Sequence, residues 1–150
     1  MSDRAKLYTV DEFEQFIDLP ENADRLFELV DGEIVEKLPT EEHSVVAGNI
    51  AFALRTFTQP RKLGRVLFEV RHQLLNDDRN SYLPDVEFTR SERKQPIVTQ
   101  GAVPQLPDLA VEVKSPSDSR AAMRRKAVYY LDNGVSLVWL VYPNTQHIEV

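Results

Sequence analysis

Residues 107–118 read Pro107-Asp-Leu-Ala-Val-Glu-Val-Lys-Ser-Pro-Ser-Asp118, an apolar run of strand length with two opposite charges in its middle. In extended backbone the side chains alternate, so Leu109, Val111 and Val113 share one face and Ala110, Glu112 and Lys114 the other. The downstream residues give this strand its place. Residues 120–132 have helical character and are stopped by Gly134, and residues 135–142 are apolar on both faces, the mark of an interior strand. Strand, helix, strand across 108–142 predicts a parallel crossover unit, with the charged strand beside the interior one. Ionised groups there are costly unless they are paired or hold an ion. Either Glu112 and Lys114 form a salt bridge on a solvent-facing sheet surface, or they belong to a site.

Upstream, residues 82–89 predict a strand with Val86 and Phe88 on one face and Asp85 and Glu87 on the other. Residues 65–75 alternate in the same way, Val66, Phe68, Val70 and Leu74 against Glu69, Arg71 and Gln73, with a turn at 76–80; residues 91–105 read as a loop. A helix is expected after Pro39-Thr40, because Val46, Ile50, Ala53, Leu54 and Phe57 recur at steps of three and four before Pro60 and Gly64. Residues 26–30 and 33–36, joined by Asp31-Gly32, predict a hairpin. Thr9-Val-Asp-Glu12 has the capping-box form and opens a short helix to about Leu19. The expected fold is α/β, a mixed sheet flanked by helices with an N-terminal helix and hairpin, in one domain over 1–150.

Composition narrows the function. The 150 residues are 42% hydrophobic and 28% charged, as in ordinary folded proteins. No apolar run approaches the roughly 20 residues needed to cross a bilayer, and residues 1–6 lack a signal-peptide core, so a cytoplasmic protein is expected. With no cysteine there are no disulfides or thiolate sites, and a metal must sit on oxygen or imidazole. The net charge of −6 argues against a surface coated for nucleic acid. The acidity is concentrated, however: residues 1–42 carry 13 acids and 4 bases, and the remainder has a net charge of +3. A polyanion could still meet a locally positive face.

Asp85 lies 27 positions before Glu112, on the preceding predicted strand. Two carboxylates from adjacent strands, with the backbone carbonyl of Val113, would make a hard oxygen site suited to Mg²⁺, for which Mn²⁺ can substitute, completed by water and a phosphate. An ammonium at Lys114 beside that water would favour its deprotonation and stabilise charge on an attacked phosphate. That is the chemistry of phosphodiester hydrolysis.

The chain resembles the Uma-type endonuclease family of the PD-(D/E)XK, restriction-endonuclease-like superfamily, over roughly residues 8–150. The resemblance rests on Phe27-Glu-Leu-Val-Asp-Gly-Glu33, His43-Ser44, Pro84-Asp85-Val86, the 107–118 stretch, Lys126-Ala-Val-Tyr129, Gly134-Val135 and Trp139-Leu-Val-Tyr-Pro143. It implies a mixed sheet flanked by helices, Mg²⁺-dependent cleavage of nucleic acid, DNA in the first instance, and homodimers. It also matches Asp85, Glu112 and Lys114 to the superfamily's metal and catalytic positions. Members of the family often carry an apolar residue where Lys114 stands and use a lysine of the following helix, matched by Lys126; this chain has both. For a third carboxylate the choice lies between Glu28 in the hairpin, ranked first, and Glu41 or Glu42 at the start of the second helix. Relatives usually continue past the Trp139 strand, so an end at Val150 is expected to leave a sheet edge either open or satisfied by a partner subunit.

Other residues take smaller roles. His43 is either a local hydrogen-bonding group at a helix start or a side chain facing the site. His72 and His147 lie in no motif. Asp108 is either a carboxylate that supports the site or, the favoured reading, a turn residue after Pro107, and Ser117 and Asp118 read as caps of the next helix. Arg120, Arg124, Arg125 and Lys126 form a basic run that either contacts a nucleic-acid backbone or is a solvated helix face. Two rival functions stand beside the nuclease: a catalytically silent binding or assembly module with the same fold, and carboxylate-pair glycoside hydrolysis, which Lys114 fits poorly.

Overall fold

The computed structural model describes residues 5–150; residues 1–4, part of the segment read as lacking a signal peptide, lie outside the described residues. The elements in chain order are α1 (Val10–Ile17), β1 (Leu26–Val30), β2 (Glu33–Lys37), α2 (Glu41–Thr58), β3 (Gly64–Leu67), β4 (Val86–Arg90), β5 (Leu109–Val113), α3 (Arg120–Asp132), β6 (Leu137–Tyr142) and β7 (His147–Glu149). No described helix is long and apolar enough to cross a membrane.

The strands form a five-stranded sheet in the order β3-β4-β5-β6-β7 and a separate hairpin, β1-β2. In the large sheet β5 and β6 run parallel and the other pairs antiparallel, so it is mixed and β5 is central, as expected. The hairpin turns at Asp31 (φ 50°) and Gly32 (φ 84°), the two positive φ values that its turn type demands. It joins the body through Leu29, which exchanges backbone hydrogen bonds with Ser81. α1 begins with a complete capping box between Thr9 and Glu12 and lays Val10 and Phe13 on Phe27 and Leu29.

The two faces of β5 pack against different helices. Leu109, Val111 and Val113 pack with Val66, Val86 and Ala51 beneath α2, while Ala110 packs with Met123 and Tyr130 of α3. Glu112 therefore points into the α3 side, where an unpaired charge would be costly. β3 enters its pairing at Gly64, where an added Cβ would lie 2.1 Å from the Thr89 carbonyl oxygen, so the close approach of the backbones admits only glycine.

Several expectations need correction. The strand expected over 65–75 stops at Leu67, because Glu69 takes a left-handed backbone conformation (φ 53°) that breaks the alternation and leaves Phe68 60% exposed. Ala53 and Phe57 of α2 face solvent; the packed side of that helix is Val46, Ala47, Ile50, Ala51 and Leu54. Ser119 caps α3 through the Ala122 amide, whereas the Asp118 carboxylate accepts from the Ser115 amide and hydroxyl. Asp108 is more than a turn residue: it is buried, accepts from the Arg90 amide and forms an ion pair with the Arg93 guanidinium at 2.7 Å, pinning the 91–105 loop to the sheet. β7 was not expected, and it covers the outer edge of β6.

Candidate active site

Six ionisable side chains from six segments meet at one end of the sheet. The hairpin register puts Glu28 opposite Val35 and Leu26 opposite Lys37, so Glu28 and Lys37 emerge on the same face. β4 begins directly after Asp85, β5 supplies Glu112, α2 supplies His43 in its first turn, and α3 supplies Lys126. All six line a cavity of about 150 Å³ that Val113 and Arg125 also border.

Asp85 is held on both oxygens. Oδ1 accepts from Lys37 Nζ at 2.6 Å, and Oδ2 from the Val113 amide at 2.7 Å and from His43 Nε2 at 3.1 Å. Lys126 Nζ bridges two acids, at 2.9 Å and 3.0 Å from the Glu28 oxygens and 2.9 Å from Glu112 Oε1. Glu28 Oε1 also accepts from the Leu83 amide, and Glu112 Oε1 from the Tyr130 hydroxyl at 2.9 Å. Among the described residues Glu112 Oε2 has no hydrogen-bond partner.

Burial sets the protonation of this cluster. Burial alone would raise the Asp85 carboxyl, but the hydrogen bond from His43 and the charge of Lys37 outweigh it and hold the group well below the usual carboxylate range. His43 is correspondingly raised, first by its hydrogen bond to Asp85. Burial opposes the charges of Lys37 and Lys126, yet the surrounding carboxylates raise both, Lys126 chiefly through Glu112 and Glu28. Glu112 is different: burial pushes it up to about 7 against the pull of Lys126.

The structure brings together Glu28, Asp85, Glu112, Val113 and Lys126 of the expected residues, with Arg125 at the rim. It does not bring Lys114 to them. The strand ends at Val113, the Lys114 amide bonds Val141, and its Nζ turns to the Ser115 carbonyl in a separate groove with Glu42, Arg120 and Tyr142. Same-face alternation does not carry past the end of the strand. Glu41 and Glu42 are exposed. Arg120 lies over the Tyr142 ring and Arg124 is paired with Glu149, so of the three expected phosphate contacts only Arg125 reaches the cavity.

Sequence reasoning missed Lys37 and Tyr130. The register of the hairpin, with Lys37 two residues beyond Val35, was the available signal for the first. The helical step from Lys126 to Tyr130 was the signal for the second.

Comparison with known proteins gives the family and the fold. A family profile, Uma2, described as "Putative restriction endonuclease", matches residues 13–150. Among solved structures, a protein from Anabaena variabilis described as a "putative nuclease belonging to DUF820" superposes with a TM-score of 0.75 at 22% identity, over 94% of this chain and 82% of that one. At that identity the likeness is one of fold. No curated protein matches the chain.

Proposed function

The chain belongs to the Uma2 family, and on that premise we propose that it is a metal-dependent, endonuclease-like phosphodiester hydrolase acting on nucleic acid, with DNA the expected polymer. The observation that supports this most is the meeting of Glu28, Asp85, Glu112 and Lys126 in one cavity, from positions up to 98 residues apart. Burying acids and lysines together at the rim of a sheet carries a desolvation cost, and such clusters of perturbed groups in a cleft mark functional sites.

The donor set fits Mg²⁺. Asp85, Glu112 and the backbone at Val113 offer only hard oxygens, and Glu112 Oε2 is unpartnered. Among the described residues no three acids or histidines gather closely enough to hold an ion alone. Mg²⁺ seldom needs that, since it commonly takes one or two carboxylates and fills its shell with water and phosphate oxygens. When bound it would polarise the phosphoryl group and its attacking water. Both Asp85 oxygens already accept hydrogen bonds, so an ion there would share the carboxylate with Lys37 and His43.

Lys126 stays charged at neutral pH, so it acts as a fixed cation that orients water and stabilises negative charge on the phosphate, not as a base. Tyr130 and Glu28 hold Glu112 and Lys126 in position. Arg125 reaches a phosphate oxygen from the rim. Lys114, on the far side of the strand end, is a contact for the polymer at most. A homodimer and a cytoplasmic location belong to the same reading.

A second reading has one observation in its favour. Asp85 and Glu28 are already satisfied by lysines and backbone amides, as they would be in a silent module of the same fold. The deciding experiment incubates purified protein with plasmid, single-stranded DNA and RNA, in Mg²⁺ or Mn²⁺ against EDTA, beside Glu112→Ala. The nuclease cuts only with metal and only with Glu112; cutting that survives in the variant rules this site out.

A further inference from the structure

The acid-lined cavity has a neighbour. On the other side of Asp85 and His43 lies a larger groove of about 380 Å³ along the first turns of α2. Its floor is Ala47, Gly48 and Ala51, its walls are Phe52 and Phe68, and Arg55 stands at its far end. Asp85 and His43 border both cavities, so the groove adjoins the candidate site at these two side chains.

Phe52 and Phe68 are 74% and 60% exposed, an unusual condition for two phenylalanines facing one groove. Phe68 owes its exposure to the break at Glu69, whose positive φ ends the strand and turns the ring out of the core. Between the rings the floor is bare: a Cβ added to Gly48 would meet nothing within 4 Å. Beyond Arg55 the surface continues into a shallow depression lined by Arg65 and Lys94. Among the described residues Arg55 and Lys94 form no ion pair, and Arg65 bonds only the Gln95 carbonyl. Glu69 and Asp85 make the near end acidic, so phosphates are favoured at the far end and an uncharged ring at the near one.

We propose that this groove is a subsite for an unstacked nucleobase next to the scissile phosphate, the base lying between Phe52 and Phe68 and the strand running on over Arg55, Arg65 and Lys94. The proposal rests on the nuclease reading and makes it specific. Aromatic rings bind any base through its π-face, and a base inside a duplex cannot enter the groove, so the preferred substrate is single-stranded or locally opened nucleic acid. Cationic side chains spaced beyond the rings supply the salt-dependent part of binding.

The test is fluorescence anisotropy in EDTA with a short labelled oligothymidylate and a hairpin duplex of equal length. The intact protein is expected to bind the single strand more tightly than the duplex. Phe52→Ala with Phe68→Ala weakens the single strand at least about tenfold. Gly48→Leu, which fills the floor without disturbing a core contact, does the same. Arg55→Ala lowers the slope of log Kd against log salt by about one. Photocrosslinking of a 5-iodouracil oligonucleotide should map to Phe52 or Phe68. Binding that is unchanged in both the double variant and Gly48→Leu overturns this proposal and leaves the nuclease reading intact. No binding by the intact protein in EDTA likewise overturns this proposal, while the metal-dependent cleavage assay decides the nuclease reading separately. A dimer that dissociates in the Phe52, Phe68 variant assigns the groove to a second copy of the chain and overturns the proposal as well.

Discussion

Lys126 Nζ lies 2.9 Å from Glu112 Oε1, joining the helix of the β5-α3-β6 crossover to the strand that precedes it. The contact makes α3, not the end of β5, the source of the cation beside Glu112. The same ammonium reaches Glu28 on the hairpin. One side chain thus ties three layers of the fold to the candidate site.

The two lysines should therefore separate cleanly. Lys126→Met removes the cation that touches Glu112 and Glu28, and metal-dependent cleavage is expected to fall about 10²- to 10³-fold. Lys114→Met, outside the cavity, should leave kcat within about threefold. Single-turnover cleavage rates of the two purified variants check this, and equal losses would contradict it.

Glu112 should trade stability for function. In the fold its proton is held until about pH 7, against 4.5 ordinarily, so the folded state binds more protons between those values and loses stability as pH rises through them. Glu112→Gln does not titrate. It should match the parent near pH 5 and melt several degrees higher at pH 8, about 1–2 kcal/mol once the weakened Lys126 contact is set against the relief. Melting curves at the two pH values read the difference. A variant that is less stable at pH 8 than at pH 5, relative to the parent, contradicts it.

Asp85 has the opposite sign. Its carboxyl is depressed, so its stabilisation is complete above the unfolded value near 3.8 and is lost as pH falls toward the folded one. Asp85→Asn leaves Lys37 and His43 without their acceptor and should cost about 3–5 kcal/mol at pH 7. The gap between variant and parent should narrow below about pH 4. Guanidinium unfolding at pH 7 and pH 3 measures it.

A buried pair away from the site serves as the structural control. His72 Nε2 is paired with Glu87, both residues are buried, and His72 Nδ1 lies 2.6 Å from the Gln105 carbonyl. Neither residue lines the candidate cavity. Glu87→Ala should destabilise by about 3 kcal/mol while the folded fraction keeps its cleavage rate within about threefold. Unfolding midpoints and rates per folded molecule, measured together, distinguish the two effects.

Alternation along 107–118 correctly placed Glu112 opposite Leu109, Val111 and Val113, and the apolar 135–142 run correctly made β5 central, because both follow from strand geometry alone. Glu28 and Lys126 came from family resemblance, since no local pattern joins positions 98 residues apart. Lys114 shows where the local rule stops: one residue past the last strand position, a side chain no longer obeys the pleat. Phe68 and Glu69 were unreadable for a related reason. Nothing in the alternating 65–75 sequence marks Glu69 for a left-handed conformation that non-glycine residues seldom adopt. His43 was placed at a helix start, but its bond to Asp85 depends on how α2 packs over β4, which is a property of the tertiary fold.

Whether the acids at 85 and 112 form a cation site or only part of a neutralised salt-bridge core is decided by calorimetric titration of the metal-free protein with Mn²⁺. One ion bound per chain, with the heat lost in Glu112→Ala and kept in Lys114→Met, is the expected result. No heat from the intact protein, or the same heat from Glu112→Ala, contradicts it.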